Sequence, residues 1–333
     1  MIRRLALGGL LLAFLAPAGA GAATVRNYDL GRTTIADPGP KGPEPIRLWG
    51  VIGVPGGGAV DRPLVVVLHG RHGDNCPPAP GDSVRWPCFR REQRNDRGMR
   101  HVVEALARRG LVAIAPDLNG AYTIGWGEPT DELRWPRIVG RTLAKLTAEA
   151  TSGGGRFGVP LKGRVDPRRV GLLAHSRSGH NAVRYARRGN HVDSLFLLTP
   201  VEEGVPLPDL TTAIVLARCD GDVPGQGRRY FERASHSGRD RPVFLIRLEG
   251  ANHNWFNQTL VKLGRDDGEF ARPGGCRRGE RLGPRPQQRW LDKAASNFFA
   301  ATLLKKAKPV WMRGGTRPGK LYGLPVALER LFP

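Results

Sequence analysis

Six short apolar runs recur along the chain: PLVVVLHG (Pro63–Gly70), LVAIAPDLNG (Leu111–Gly120), RRVGLLAHS (Arg168–Ser176), SLFLLTP, TAIVLARCD and PVFLIRLEG. Each is a continuous Val/Ile/Leu stretch, the pattern of strands covered on both faces. Helical apolar spacing lies between several of them, in RGMRHVVEALARRG (Arg97–Gly110), around Asp131–Ala150 and in GHNAVRYARRG (Gly179–Gly189). A last helix covers roughly Pro286–Leu304. Strands alternating with helices predict an α/β fold, a mostly parallel central sheet flanked by helices. Sheets of this kind carry their sites at the carboxyl ends of the strands. IRLWGVIGVP (Ile46–Pro55) adds an earlier strand, and the Pro/Gly-rich tail from about Lys308 has no assigned place.

The first residues read as a leader and not as part of this fold. Met1–Arg4 is basic, Leu5–Leu15 is apolar but too short for a membrane anchor, and Pro17–Ala23 is rich in small residues. That is a signal-peptide pattern, with Ala20, Ala22 and Ala23 all acceptable cleavage points. Residues 1–23 are therefore expected to be removed on export. Residues 24–333 then form a single domain, secreted to the cell envelope or beyond.

Export brings disulfides into play, and four cysteines allow three pairings. Cys76 and Cys88 flank one proline-stiffened loop, whereas Cys219 and Cys276 each sit near residues assigned below to catalysis. Bridges Cys76–Cys88 and Cys219–Cys276 are expected. Zinc is disfavoured, because no C-x-x-C or paired Cys/His spacing exists.

The formal net charge is +22, mostly arginine. Such a surface can attract anionic partners, with loose adhesion to anionic surfaces as one reading and a compositional bias toward arginine as the other. Specific nucleic-acid binding is not, since the basic residues are spread along the chain and not interleaved with aromatics in one segment.

The strand Arg168–Ser176 runs into LLAHSRSGHN, which holds Ser176 and Ser178. A serine becomes a nucleophile when an imidazole takes its proton and a carboxylate orients that imidazole. On a strained strand-to-helix turn the residues two before and two after the nucleophile must be small. Ser176, flanked by Ala174 and Ser178, meets this demand; Ser178, flanked by Ser176 and His180, does not. The acid should leave the end of a later strand. Asp220 in CDGDVPG is preferred, with Asp222 as the alternative acid or a helix-capping residue. His253, just after the last core strand, is the expected base. Backbone N–H groups of Arg71 and Arg177 are placed for an oxyanion hole. Tyr122, Trp126, Trp255 and Phe256 are candidates for lining a substrate pocket.

The runs LVVVLHGRHGDNC, WPC, RVDPRRVGLLAHSRSGHNAV, CDGDV, GANHNWFN and CRRGERLGPRPQQR resemble secreted bacterial α/β-hydrolases with a G-H-S-R-G-G elbow. The similarity covers most of the mature chain, from about Pro63 to Leu304. It implies the α/β-hydrolase fold, a Ser176–Asp220–His253 triad, and pairing of Cys219 with Cys276. The departures are Ala174 and Ser178 in place of glycines and a shortened helical region after the elbow.

These readings predict an exported serine hydrolase that cleaves small or polymeric carboxylic esters through an acyl-enzyme, with no cofactor or metal required. Peptidase or acyltransferase activity on the same triad is an alternative. A different class of alternative is a non-catalytic protein on the same fold that binds anionic envelope polymers.

Overall fold

The computed structural model describes residues 22–36, 43–58, 60–72, 75–76, 86–88, 91–123, 131–268 and 276–333. The leader lies outside them except for residues 22 and 23. The strands are β1 (Thr24–Ile35), β2 (Glu44–Val54), β3 (Arg62–Leu68), β4 (Val112–Pro116), β5 (Val165–His175), β6 (Ser194–Leu198), β7 (Thr211–Cys219), β8 (Val243–Asn252), β9 (Lys320–Leu321) and β10 (Leu324–Leu331). They form one ten-stranded sheet in the order β1-β2-β4-β3-β5-β6-β7-β8-β10-β9. The six central strands from β4 to β8 run parallel; β2 and β10 flank them antiparallel, and β1 pairs antiparallel with β2.

Helices cover both faces, which is why the central strands are apolar on both. Along β3, Leu64, Val66 and Leu68 point into one core and Val65 and Val67 into the other. The first core receives α3 (Asp131–Ser152), α4 (Arg177–Arg187) and α5 (Arg228–Ser235) through residues such as Trp135, Leu146, Val183 and Tyr230. The second receives α1 (Arg100–Arg108) and α7 (Pro284–Leu303) through Val102, Leu106, Trp290 and Phe298. Short helices α2 (Asn119–Thr123) and α6 (Gln258–Lys262) follow β4 and β8.

Two features were not visible in the sequence. The tail from Lys308 is part of the sheet: β10 pairs with β8, and Trp311 is fully buried with its ring stacked on Phe298 at 6.1 Å. The connection from β6 to β7, residues 199–210, carries no helix; it passes beside the strand ends, where Val201 lines the cleft and Glu203 pairs with Arg177. Both cysteine pairs are joined as expected, Cys76–Cys88 and Cys219–Cys276, with Cα atoms 5.0 and 5.6 Å apart.

Candidate active site

Ser176 is the hinge between β5 and α4. It has φ 56° and ψ −126°, in a region L-residues seldom adopt. Its amide donates to Leu198 O on β6 at 2.9 Å, and its carbonyl accepts from Gly179 and Val201, so both sides of the turn are fixed by backbone. The turn also needs close approach of a second loop. A Cβ on Gly70 would stand 2.7 Å from the Ser176 Cβ, so glycine there lets the β3 exit loop lie directly against the elbow.

Ser178 has a separate role. Its Oγ is buried and donates to His69 O at 2.6 Å, while accepting from Tyr122 OH at 2.5 Å and Trp135 Nε1 at 3.0 Å. All the bonding capacity of this hydroxyl is used beneath the elbow.

Asp220 and His253 meet at the ends of β7 and β8. His253 Nδ1 donates to Asp220 Oδ2 at 3.0 Å, while Asp220 Oδ1 accepts from the amides of Asp222 and Val223. Asp222 is not bonded to Nδ1; its Oδ2 stands 3.4 Å from His253 Nε2, without the geometry of a hydrogen bond. Burial disfavours the imidazolium, but the charge and hydrogen bond of Asp220, with Asp222 and Asp267 behind it, more than offset this and lift His253 to about 9. The His253 carbonyl accepts from His175 Nε2 at 3.1 Å, and the two rings lie 4.7 Å apart, which brings the His253 loop beside the elbow.

Ser176, Arg177, Arg71, His72, Asp222, Val223, Asn254 and Asp267 line one cleft of about 550 Å³ at the carboxyl ends of the parallel strands. Arg177 is the first residue of α4, and its N–H is one of those a helix start leaves without an intrahelical acceptor. Arg71 follows Gly70 in the loop set by His69, whose Nδ1–H donates to Gly70 O at 2.8 Å and whose Nε2 accepts from the Leu118 amide at 2.8 Å. Burial holds His69 down at about 4, so it stays neutral in that tautomer.

The aromatic candidates fall elsewhere. Tyr122 is buried under the elbow, Phe256 sits in the second core, and half-buried Trp255 does not line the cleft; Trp126 lies outside the described residues.

Two supporting groups were missed from the sequence. Asp267, buried at the cleft wall, accepts from the amides of Gly221 (2.8 Å), His253 (3.2 Å) and Asn254 (3.0 Å), tying the acid turn to the histidine loop. The Cys219–Cys276 bridge reinforces this tie, since Cys219 directly precedes Asp220 and the Cys276 amide donates to Gly268 O. Asp131 makes a two-pronged ion pair with the buried Arg177 side chain, at 2.8 and 3.1 Å, and anchors the first turn of α4 to α3. Neither has a sequence signal, because the partners lie 46 residues apart for Asp131–Arg177 and Asp267–Gly221 alike.

Glu132, His180 and Glu203 place donor atoms within 4.8 Å of one another. Arg177 and Arg184 already pair with these carboxylates, so cationic charge is supplied there by the protein. Comparison with protein-family models finds no match, and a search of curated proteins finds no relative.

Proposed function

We propose that the chain is an exported serine hydrolase of the α/β-hydrolase fold that cleaves carboxylic esters. The observation that carries this reading is the pairing of His253 Nδ1 with Asp220 Oδ2 at 3.0 Å, on a loop held against His175 next to the strained Ser176, which lines the adjoining cleft; His253 Nε2 makes no hydrogen bond to Ser176 in this state. The strand order, with β2 antiparallel and the elbow after β5, supports the fold assignment. The two disulfides agree with export.

In this reading Ser176 Oγ attacks the acyl carbon while neutral His253 Nε2 takes its proton. Asp220 holds the ring by Nδ1 and stabilises the imidazolium. The amides of Arg177 and Arg71 receive the oxyanion. His253 then protonates the leaving alcohol, and water, activated by the same nitrogen, releases the acid and restores Ser176.

A fluorophosphonate probe tests the reading: it should label the mature protein and fail on Ser176→Ala. Asp220→Asn should slow labelling by orders of magnitude, and Asp222→Asn should not. Absence of labelling in folded protein at pH 9 would sink the enzyme.

The non-catalytic alternative draws on one observation. Carboxylates face both nitrogens of His253, Asp220 at Nδ1 and Asp222 at Nε2, which favours the protonated ring and works against a general base at neutral pH. Labelling that stays absent across the alkaline range would favour it.

A further inference from the structure

Besides the cleft, the described residues form a groove of about 430 Å³ lined by Arg32, Arg47, Arg91, Arg94 and Arg97, with Trp49 and Trp86. We propose that this groove binds an acidic polysaccharide, and that the ester cleaved at Ser176 is an acyl group carried on such a chain. The second half rests on the hydrolase reading; the first does not.

Charge is the first support. Arg32, Arg91 and Arg97 have no carboxylate in salt-bridge range among the described residues. Arg32 and Arg47 are opposite one another across β1 and β2, a like-charge placement that costs stability in a bare sheet. Partial burial, and then the nearby Arg94, Arg91 and Arg100, disfavour the charge of Arg97 by more than Asp96 favours it. Arg47 is partly neutralised by Asp29 and Arg94 by Asp96 and Asp117, and Glu92 also lines the groove, yet five arginines face these four carboxylates. Closely spaced oxyanions would relieve this repulsion.

Position is the second. Gly50 on β2 is in register with Pro116 at the end of β4, so Glu44–Trp49 project beyond β4 on the side where the parallel strands end. The groove therefore shares the catalytic face. From β2 to β5 there are three strand spacings, about 14 Å at ~4.8 Å each. One extended polymer can occupy both sites.

Shape selects among polyanions. Trp49 carries Arg94 over its ring at 3.8 Å and Arg47 at 4.5 Å, and Trp86 is packed on the core with its Nε1 donating to Pro45 O. The Trp49 ring is taken by guanidinium groups, which leaves half-buried Trp86 where single-stranded nucleic acid would use a row of stacking platforms. The exposed large apolar residues, such as Val60, Leu263 and Phe332, lie outside the groove, which gives a lipid surface nothing to hold.

On such a chain the acyl–oxygen bond breaks, Ser176 Oγ gains the acyl group, and the sugar hydroxyl leaves with the proton from His253. Water then returns the carboxylic acid.

The test uses the mature full chain as Ser176→Ala, with folding checked by thermal melting, titrated with polygalacturonate by calorimetry. Adding Arg91→Ala and Arg97→Ala should weaken binding at least tenfold, and the same pair in the active enzyme should leave hydrolysis of a small soluble ester unchanged. Undiminished polygalacturonate binding by the arginine variant overturns the groove. Tighter binding of single-stranded DNA than of polygalacturonate overturns the ligand class. Binding through the groove without ester cleavage by the wild type refutes the hydrolase reading and the substrate half, leaving the groove standing. Acyl release from O-acetylated polygalacturonate that falls with the arginine pair, while small-ester cleavage does not, supports the whole.

Discussion

At the scale of single residues, the site depends on which carboxylate meets which nitrogen of His253. Asp220 takes Nδ1 and sets the ring, whereas Asp222, about half exposed, only presents its charge to Nε2. In the proposed mechanism His253, raised to about 9, must lose a proton before it can act as base, so kcat/KM should climb as pH approaches 9. Asp222→Asn removes one stabilising charge from the imidazolium. Its pH–rate limb should move down by about one pH unit, the low end for a solvent-screened neighbour. A limb that stays put would remove Asp222 from the electrostatics of the base. The same pairing contributes stability that is complete below 6.5 and lost as pH rises through about 9. Ser178 makes the complementary case. Ser178→Ala leaves Tyr122 OH, Trp135 Nε1 and His69 O short of a partner, and should cost about 3 kcal/mol while fluorophosphonate labelling persists. Loss of labelling without loss of stability would transfer the nucleophile to Ser178. The size rule could rank the two serines from sequence, because it needs only neighbours in the chain. It could read Ser178 only as a stand-in for glycine, since its partners lie 43, 56 and 109 residues away.

At the scale of elements, the apolar runs predicted the parallel strands because burial on both faces demands continuous Val, Ile and Leu. The same logic explains what escaped. β10 is LPVALERL, an edge strand in which polar residues interrupt the apolar ones, and a Pro/Gly-rich stretch precedes it. Its place is set by pairing with β8 and by Trp311, not by its own pattern. Trp311 packs on Phe244 and Phe298 and donates through Nε1 to Tyr322 OH at 3.1 Å. Trp311→Ala should cost about 3–5 kcal/mol in urea unfolding. Deleting residues 308–333 should do more, because it also uncovers the β8 edge and invites aggregation. A truncated protein that stays monomeric with unchanged stability would show that the tail is an ornament of the sheet. The pocket aromatics illustrate another limit. Tyr122, Trp255 and Phe256 all follow strand ends in sequence, yet an exit loop can turn its rings into the core as readily as into the cleft.

At the scale of the whole molecule, the two disulfides divide the labour of holding the face where the parallel strands end. Cys76–Cys88 closes a separation of 12 residues beside the arginine groove, and Cys88 lines that groove. Cys219–Cys276 closes 57 residues and joins the end of β7 to the segment that follows Asp267. In the chain-entropy account bridges of these spans contribute about 3 and about 4 kcal/mol. Their effects on chemistry should differ more than their effects on stability. Without the second bridge, the Asp220 turn and the His253 loop are held by Asp267 and by the pairing of Cys219 with Asn252 across β7 and β8, and the 3.0 Å contact between Asp220 and His253 loses one of its supports. Cys219→Ser with Cys276→Ser should therefore reduce the rate of fluorophosphonate labelling at least tenfold at a temperature where the protein remains folded. Cys76→Ser with Cys88→Ser should leave that rate within twofold and weaken polygalacturonate binding instead. The reverse pattern would mean that the site is held from the β2–β4 side, through His69 and the Gly70 contact, and that the acid turn needs no staple.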